Sequence, residues 1–278
     1  MWDVIELAEP QGPLGRPLAH LLYRGIPAAA HIITPSRATA EAVRAHYSLP
    51  SERVTVVPPA IPETFRYAPD LLASPRGRAF LAANRLAQRP PVVLYVGSEH
   101  PRKNLPRLLA AIARVKLVVP EVRFVKIGAA GPPAARAAFQ SALHATDLAA
   151  RTRIVEEAGD DALLFWYHVA SVLAFPSLAE GFGFPPLEAL ACGTPVVTSN
   201  RSSLPEVVGD AAVLVDPLDP ESIAHGLRSV LLDEHRRAAL RARGIRRAAL
   251  FSWVRTAAGT EAVYRQVLAS HQGPLVSA

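Results

Sequence analysis

From residue 91 onward, short apolar runs alternate with longer segments of helical period. The runs at Pro91–Gly97, Val122–Gly128, Arg153–Glu156, Ser171–Phe175, Pro195–Ser199 and Ala211–Val215 read as buried strands. Between them, Leu105–Val118, Pro133–Ala149, Asp160–Ala170, Phe184–Cys192 and Leu204–Val208 read as helices. Strand and helix alternating with short turns calls for a parallel sheet covered on both faces, the doubly wound architecture. After Pro220 the pattern turns wholly helical: Glu221–Leu232, Glu234–Leu250 and Val254–Ser270.

The first 90 residues differ. Ala29–Thr34 is a short strand candidate, Ser36 a helix N-cap with a helix to His46, and Arg53–Val57 a second strand closed by Pro58-Pro59. Residues 1–25 and 66–90 lack a clean period, and the latter reads as a linker plus one helix. One helix and two strands do not complete a doubly wound domain. The expected organisation is therefore a remnant of an N-terminal domain (1–75), a linker and helix (76–90), a complete Rossmann-like domain (91–252), and a C-terminal helix crossing back to the N-terminal part (253–278).

Composition narrows the function. Of the 278 residues, half are apolar, enough for substantial cores. The formal charge is +6, and all but three of the 30 basic residues are arginines. No zinc-ligand spacing or nucleic-acid motif accompanies them, so nucleic acid is not an expected partner, while a basic face could touch anionic lipid. Cys192 is the single cysteine, which excludes an internal disulfide and fits a reducing, cytoplasmic setting. No apolar run reaches the roughly 18 residues that a membrane span needs. The expected location is cytoplasmic, with peripheral contact at the inner membrane face.

Two loops carry the chemistry. Glu180-Gly-Phe-Gly-Phe-Pro-Pro-Leu-Glu188 follows a buried strand and opens a short helix. Ligands of open parallel sheets bind beyond the carboxyl ends of the strands. Gly181 and Gly183 allow backbone amides to approach a ligand closely, and the helix N-terminus favours phosphate. Glu180 and Glu188 cannot favour phosphate, so they should face hydroxyls, a sugar on one side and a ribose on the other. Taken alone, a strand-to-helix turn with two surface glutamates would look the same. The second loop, Val96-Gly-Ser-Glu-His-Pro-Arg-Lys-Asn104, also opens a helix beyond a strand. Gly97 makes the turn, and Arg102 and Lys103 could clamp a diphosphate. Alone, that pair could equally be a solvated surface.

Together the loops resemble the retaining glycosyltransferases of the GT-B fold, a family that includes bacterial mannosyltransferases and sucrose and glycogen synthases. The resemblance spans residues 28–216: it covers His31–Val57, the Val96–Asn104 turn, Ala179–Val197, and Ser203–Ala212 through to Asp216-Pro217. It implies an α/β fold of GT-B type, with a complete C-terminal donor-binding domain and a partial N-terminal Rossmann-like domain. It implies a nucleoside-diphosphate sugar as donor, a glycan or lipid-linked acceptor, and transfer with retention of configuration. It assigns Arg102 and Lys103 to the diphosphate, Glu180 to the transferred sugar, Glu188 to the nucleotide ribose, and the amides of Phe182, Gly183 and Phe184 to sugar hydroxyls or phosphate. Neither metal nor cofactor is expected, since the basic pair takes a metal's electrostatic role. The Asn200–Pro205 run resembles mannosyltransferases and leans toward GDP-mannose.

The family's glycine-rich loop and catalytic histidine have no adequate counterpart: Gly12, Gly15 and His20 do not match. The competing reading is a non-catalytic nucleotide-sugar-binding module, or one part of a split enzyme. Either way, self-association or a partner chain is expected. Cys192, Trp166 and Tyr167 read as packing residues. The loop Glu157–Asp161, at a strand end, is placed near the base by position alone.

Overall fold

A computed structural model describes residues 23–271. Gly12, Gly15 and His20 lie outside the described residues. Contacts divide the chain into two compact units, Met1–Ile61 with Glu180–Phe182 and Phe251–Ala278, and Pro62–Ala179 with Gly183–Leu250.

In the first unit, β1 (Ile32–Thr34) pairs in parallel with β2 (Val54–Val56), Ile32 opposite Val54. The parallel crossover between them is α1 (Arg37–Tyr47), whose N-cap Ser36 accepts from the Thr39 amide at 3.1 Å. Ile32, Val43 and Leu49 form its buried cluster, with Tyr23, Ile26 and Tyr47 packed against them. The last helix of the chain also belongs to this unit. It is labelled α10 (Trp253–His271) in chain order; its Val263 is buried, and Thr256 Oγ1 donates to Pro58 O at 2.8 Å.

The second unit opens with α2 (Pro75–Ala83), capped by Ser74, whose hydroxyl accepts from Gly77 N at 3.0 Å. There follow β3 (Val92–Val96), α3 (Leu105–Lys116), β4 (Arg123–Ile127), α4 (Pro133–Ala145) and β5 (Thr152–Val155). The second half runs α5 (Asp160–Val169), β6 (Val172–Phe175), α6 (Phe184–Ala191), β7 (Val196–Ser199), α7 (Leu204–Val208) and β8 (Val213–Val215). Then come α8 (Pro220–Leu231) and α9 (Glu234–Ala248), N-capped by Asp219 and Asp233. The six strands lie in the order β5-β4-β3-β6-β7-β8, every neighbour parallel. Every residue of β6 and β7 is buried, so both faces of the sheet are covered there. Helix α3 shows how: Leu105, Leu108, Leu109, Ile112 and Val115 recur at helical spacing and are all buried.

Element positions follow the sequence pattern to within a few residues at their ends. The segment before β3 does not follow the expected boundaries. Residues 62–75 pack with the second unit, not the N-terminal one; of the linker and helix expected over 76–90, the helix is α2. Phe65 meets Tyr167 edge-on at 5.8 Å, the Ala68 amide donates to His168 Nε2 at 3.0 Å, and Phe80 lies 5.1 Å from Phe165. These anchors sit on turns as well as on a helix, so their apolar positions have no single period to detect.

Candidate functional site

Strand order locates the site. After β3 the chain builds β4 and β5 outward on one side, then returns to lay β6 on the other side of β3. The carboxyl ends of β3 and β6 therefore flank a topological switch point, where loops diverge and leave a crevice. The two loops singled out in the sequence leave from these two strands.

The loop after β3 is built to hold a fixed shape. Gly97 has φ 152°, and a Cβ there would sit 2.8 Å from the Tyr95 hydroxyl, which donates to Ser98 O at 2.9 Å. Pro101–Lys103 form one 3₁₀ turn, with the Arg102 amide donating to His100 Nδ1 at 3.4 Å. Arg102 then ties this loop to the one after β6. Its NH1 donates to Ala179 O at 3.0 Å, while its own carbonyl accepts from Leu178 N at 2.7 Å. Lys103 Nζ stands 5.1 Å from the centroid of the Phe175 ring, at the end of β6. In the loop after β6, the Ser177 hydroxyl is wholly buried and has no hydrogen-bond partner among the described residues.

Asn104 was not marked as a site residue, yet it holds three loops. Its backbone is left-handed (φ 64°), and its Nδ2 donates to Pro176 O at 3.0 Å and Pro217 O at 2.6 Å. Pro176 follows β6 and Pro217 follows β8, so one amide fixes the loops after β3, β6 and β8 together.

A second unmarked group is buried beside the same loop. Glu99 and Lys126 are 3.1 Å apart with both side chains wholly buried. Arg136 also donates to Glu99, as does the Gly131 amide at 3.2 Å, and Lys126 donates to Gly128 O and to Ala129 O at 3.0 Å. Burial would raise the Glu99 carboxyl, but the hydrogen bonds from Lys126 and Gly131 and the nearby cations outweigh it and hold it below the usual range. Burial lowers Lys126, opposed by Glu99. A lysine in an apolar strand, 27 residues after its glutamate, offers no periodic signal in the sequence.

On α6, Glu188 Oε2 accepts from the Tyr167 hydroxyl at 2.6 Å. Burial raises the Glu188 carboxyl above its usual range; the Tyr167 bond works against that shift, and Asp160 adds to it. Tyr167, read from sequence as core, is indeed fully buried, but its hydroxyl is spent on Glu188. Cys192 is buried and burial pushes its thiol far up, which fits packing. The N-terminus of α6 is a weaker anion site than expected. Of its first three positions, Phe184, Pro185 and Pro186, only Phe184 carries an N–H, because proline has none. Gly183 takes φ 117°, and a Cβ there would lie 2.8 Å from Leu204 Cδ2.

Glu180, Gly181 and Phe182 pack with the N-terminal unit. Gly181 O accepts from Ser36 Oγ at 2.6 Å and Thr39 Oγ1 at 2.9 Å, and the buried Phe182 ring meets Phe251 at 5.8 Å. The expected site residues thus fall into two sets. Gly97, Arg102, Lys103, Gly183, Phe184 and Glu188 lie in the six-stranded unit, at the carboxyl side of adjacent strands. Glu180, Gly181 and Phe182 lie in the other.

Residues 78–247, spanning the six-stranded sheet and both loops, match the family described as Glycosyl transferases group 1. The chain belongs to this family. Residues 6–65 match Glycosyltransferase Family 4, so the likeness extends beyond residues 28–216 at both ends. Among curated group 1 relatives, the D-inositol 3-phosphate glycosyltransferase of Thermobispora bispora is 37% identical over 232 residues, covering 80% of this chain and 52% of that protein. The O-antigen chain mannosyltransferase B of Escherichia coli is 36% identical over 160 residues, 58% of this chain and 42% of that protein. The chain thus spans about half the length of the curated relatives it matches. A sucrose-phosphate synthase from Thermosynechococcus elongatus superposes with a TM-score of 0.78 at 25% identity, over 97% of this chain and 67% of that one. Anabaena Alr3699/HepE in complex with UDP-glucose superposes with a TM-score of 0.79 at 17% identity, over 95% and 71%. The GT-B-type α/β fold expected from the two loops is the fold these structures share with this chain.

Proposed function

We propose that the six-stranded unit binds a nucleoside-diphosphate sugar at the β3/β6 switch point, as the donor half of a retaining glycosyltransferase. The observation that supports the reading is the pair of ties between Arg102 and the loop after β6, with Lys103 Nζ beside Phe175 at the end of that strand, since this topology binds ligands at its switch point. In transfer, the bond from the sugar's anomeric carbon to the diphosphate breaks, and a bond to an acceptor hydroxyl forms on the same face. The diphosphate leaves with its bonding electrons and takes up the proton that the acceptor hydroxyl releases. Arg102 and Lys103 stabilise the charge that gathers on the leaving group, in place of a metal or cofactor. Glu188, oriented by Tyr167, takes the ribose hydroxyls. Glu180 takes the sugar, with the amides of Phe182, Gly183 and Phe184 around it.

Donor binding is proposed for the residues described. Transfer to a glycan or lipid-linked acceptor is proposed for these residues together with an acceptor-side domain, in the same chain or in a partner. The exposed Trp253, Val254, Tyr264 and Leu268 of α10 support a partner chain or self-association in the first unit. Among the described residues no helix is long and apolar enough to cross a membrane, and the net charge of +6 supports peripheral contact with an anionic inner face from the cytoplasm. GDP-mannose is the proposed donor, on the Asn200–Pro205 run and the mannosyltransferase among the relatives. A thermal-shift panel of GDP-, UDP- and ADP-sugars tests this, because a bound ligand stabilises the fold by mass action. The largest shift is expected with GDP-mannose; a larger shift with a UDP-sugar overturns the choice of base, and no shift with any donor overturns the reading.

A further inference from the structure

At the opposite end of the same sheet, the amino-terminal ends of β4 and β5 open a second cavity of about 440 Å³. Four of its lining residues are arginines, Arg85, Arg123, Arg151 and Arg153, and none is a carboxylate. The strand register sets two of them side by side. Arg153 on β5 pairs with Val125 on β4, so it shares a sheet face with Val125 and with Arg123 two positions earlier. Arg151 precedes β5, and Arg85 sits on the turn after α2 with a left-handed backbone (φ 56°).

These guanidinium groups are under-used by the protein. Arg151 donates to Pro120 O, and Arg123 makes one long bond of 3.5 Å to Ala150 O. Asp147 is held low mainly by Lys116 and only lastly by Arg151. Among the described residues, the side chains of Arg85 and Arg153 have no hydrogen-bond or ion-pair partner, although the Arg85 amide donates to Ala82 O at 3.1 Å. Four like charges around one concave surface repel each other unless an anion enters. Arginine's planar fork matches the oxygens of a phosphate two at a time. Val125, on the same sheet face as Arg123 and Arg153, and Trp166 supply apolar lining, and both are buried.

We propose that this cavity is a binding site for a phosphate-bearing ligand, distinct from the donor site and separated from it by the length of the strands. It concerns a different end of the sheet, and so stands whether or not the donor reading holds.

Inorganic pyrophosphate is the probe, measured by titration calorimetry on the full chain. Because pyrophosphate should also meet Arg102 and Lys103, the background is R102A/K103A. That variant is expected to keep one pyrophosphate site. Adding R123A/R153A is expected to weaken it at least about tenfold, with the ligand-free melting temperature unchanged; R123K/R153K, which keeps charge but loses the fork, should fall between. Arg85→Ala, on an exposed turn, should weaken binding in the same direction, and Arg236→Ala, elsewhere on the surface, should not. Absence of any site in R102A/K103A, or equal affinity after R123A/R153A, overturns the proposal. Co-sedimentation with phosphatidylcholine vesicles containing phosphatidylglycerol distinguishes the source. Sedimentation that needs Arg123 and Arg153 and is competed by pyrophosphate assigns the phosphate to a lipid headgroup. No sedimentation, with pyrophosphate bound as expected, assigns it to a soluble ligand.

Discussion

The Tyr167 hydroxyl reaches Glu188 Oε2 across 2.6 Å, joining α5, which leads into β6, to α6, which leads out of it. The bond orients a carboxylate that burial would otherwise leave costly to ionise. Glu188 holds its proton more tightly in the folded chain than in the unfolded one. Its contribution to stability is therefore fully present below the ordinary carboxylate range and is lost as pH rises through the raised value.

Two opposite effects follow for Glu188→Gln. At neutral pH the ligand-free variant should melt at or above the wild-type temperature, because no buried charge remains. Its affinity for a nucleoside diphosphate should nevertheless drop by about 1.5–3 kcal/mol, the worth of a charge-assisted hydrogen bond. Wild-type affinity should also weaken on acidification toward the raised Glu188 value, by more than the ligand's own titration accounts for, and the variant should lack that excess. Melting curves and titrations across pH check this; a destabilised variant with unchanged affinity contradicts it.

Glu99 and Lys126 should behave as a coupled pair. Removing either partner leaves a buried charge exposed to its own desolvation cost, about 3–5 kcal/mol. Lys126→Met and Glu99→Gln should each be strongly destabilising, and the double variant less so than their sum. Chemical denaturation of the four chains gives the coupling. Simple additivity would mean that the contact is not worth its geometry. Since Glu99 lies three residues before Arg102, each single variant should also weaken nucleotide binding.

Asn104 separates backbone from side chain. Asn104→Gly keeps the left-handed turn and loses the bonds to Pro176 and Pro217; Asn104→Asp sets carboxylate oxygen against two carbonyls. Asp should be the worse of the two, by about 1 kcal/mol or more in denaturant unfolding. Equal stability would remove the hub role.

The fold was legible because β3, β4, β6 and β7 are largely buried runs bounded by turns, and because α3 and α8 carry clean helical stripes. Gly97, Arg102 and Lys103 have positions that the sequence fixes for a related reason: each stands at a strand end or helix start, where local sequence and location are tied. What was not legible depended on distant partners. Phe65 and Phe80 gain meaning only against Tyr167 and Phe165. Lys126 looks like an interruption in an apolar strand until Glu99 faces it. The two prolines of α6 suited a helix start, but they also remove the donors that an anion would use there.

The central claim is that Arg102 and Lys103 hold a diphosphate at the β3/β6 switch point. The most direct measurement is titration of R102A, K103A and the wild-type chain with GDP and with guanosine, plus the corresponding UDP and uridine pair. The account predicts that each variant loses about tenfold or more in affinity for the diphosphate, while affinity for the nucleoside hardly changes. A parallel loss for nucleoside and diphosphate would assign the pair a structural role in the loop and contradict the claim.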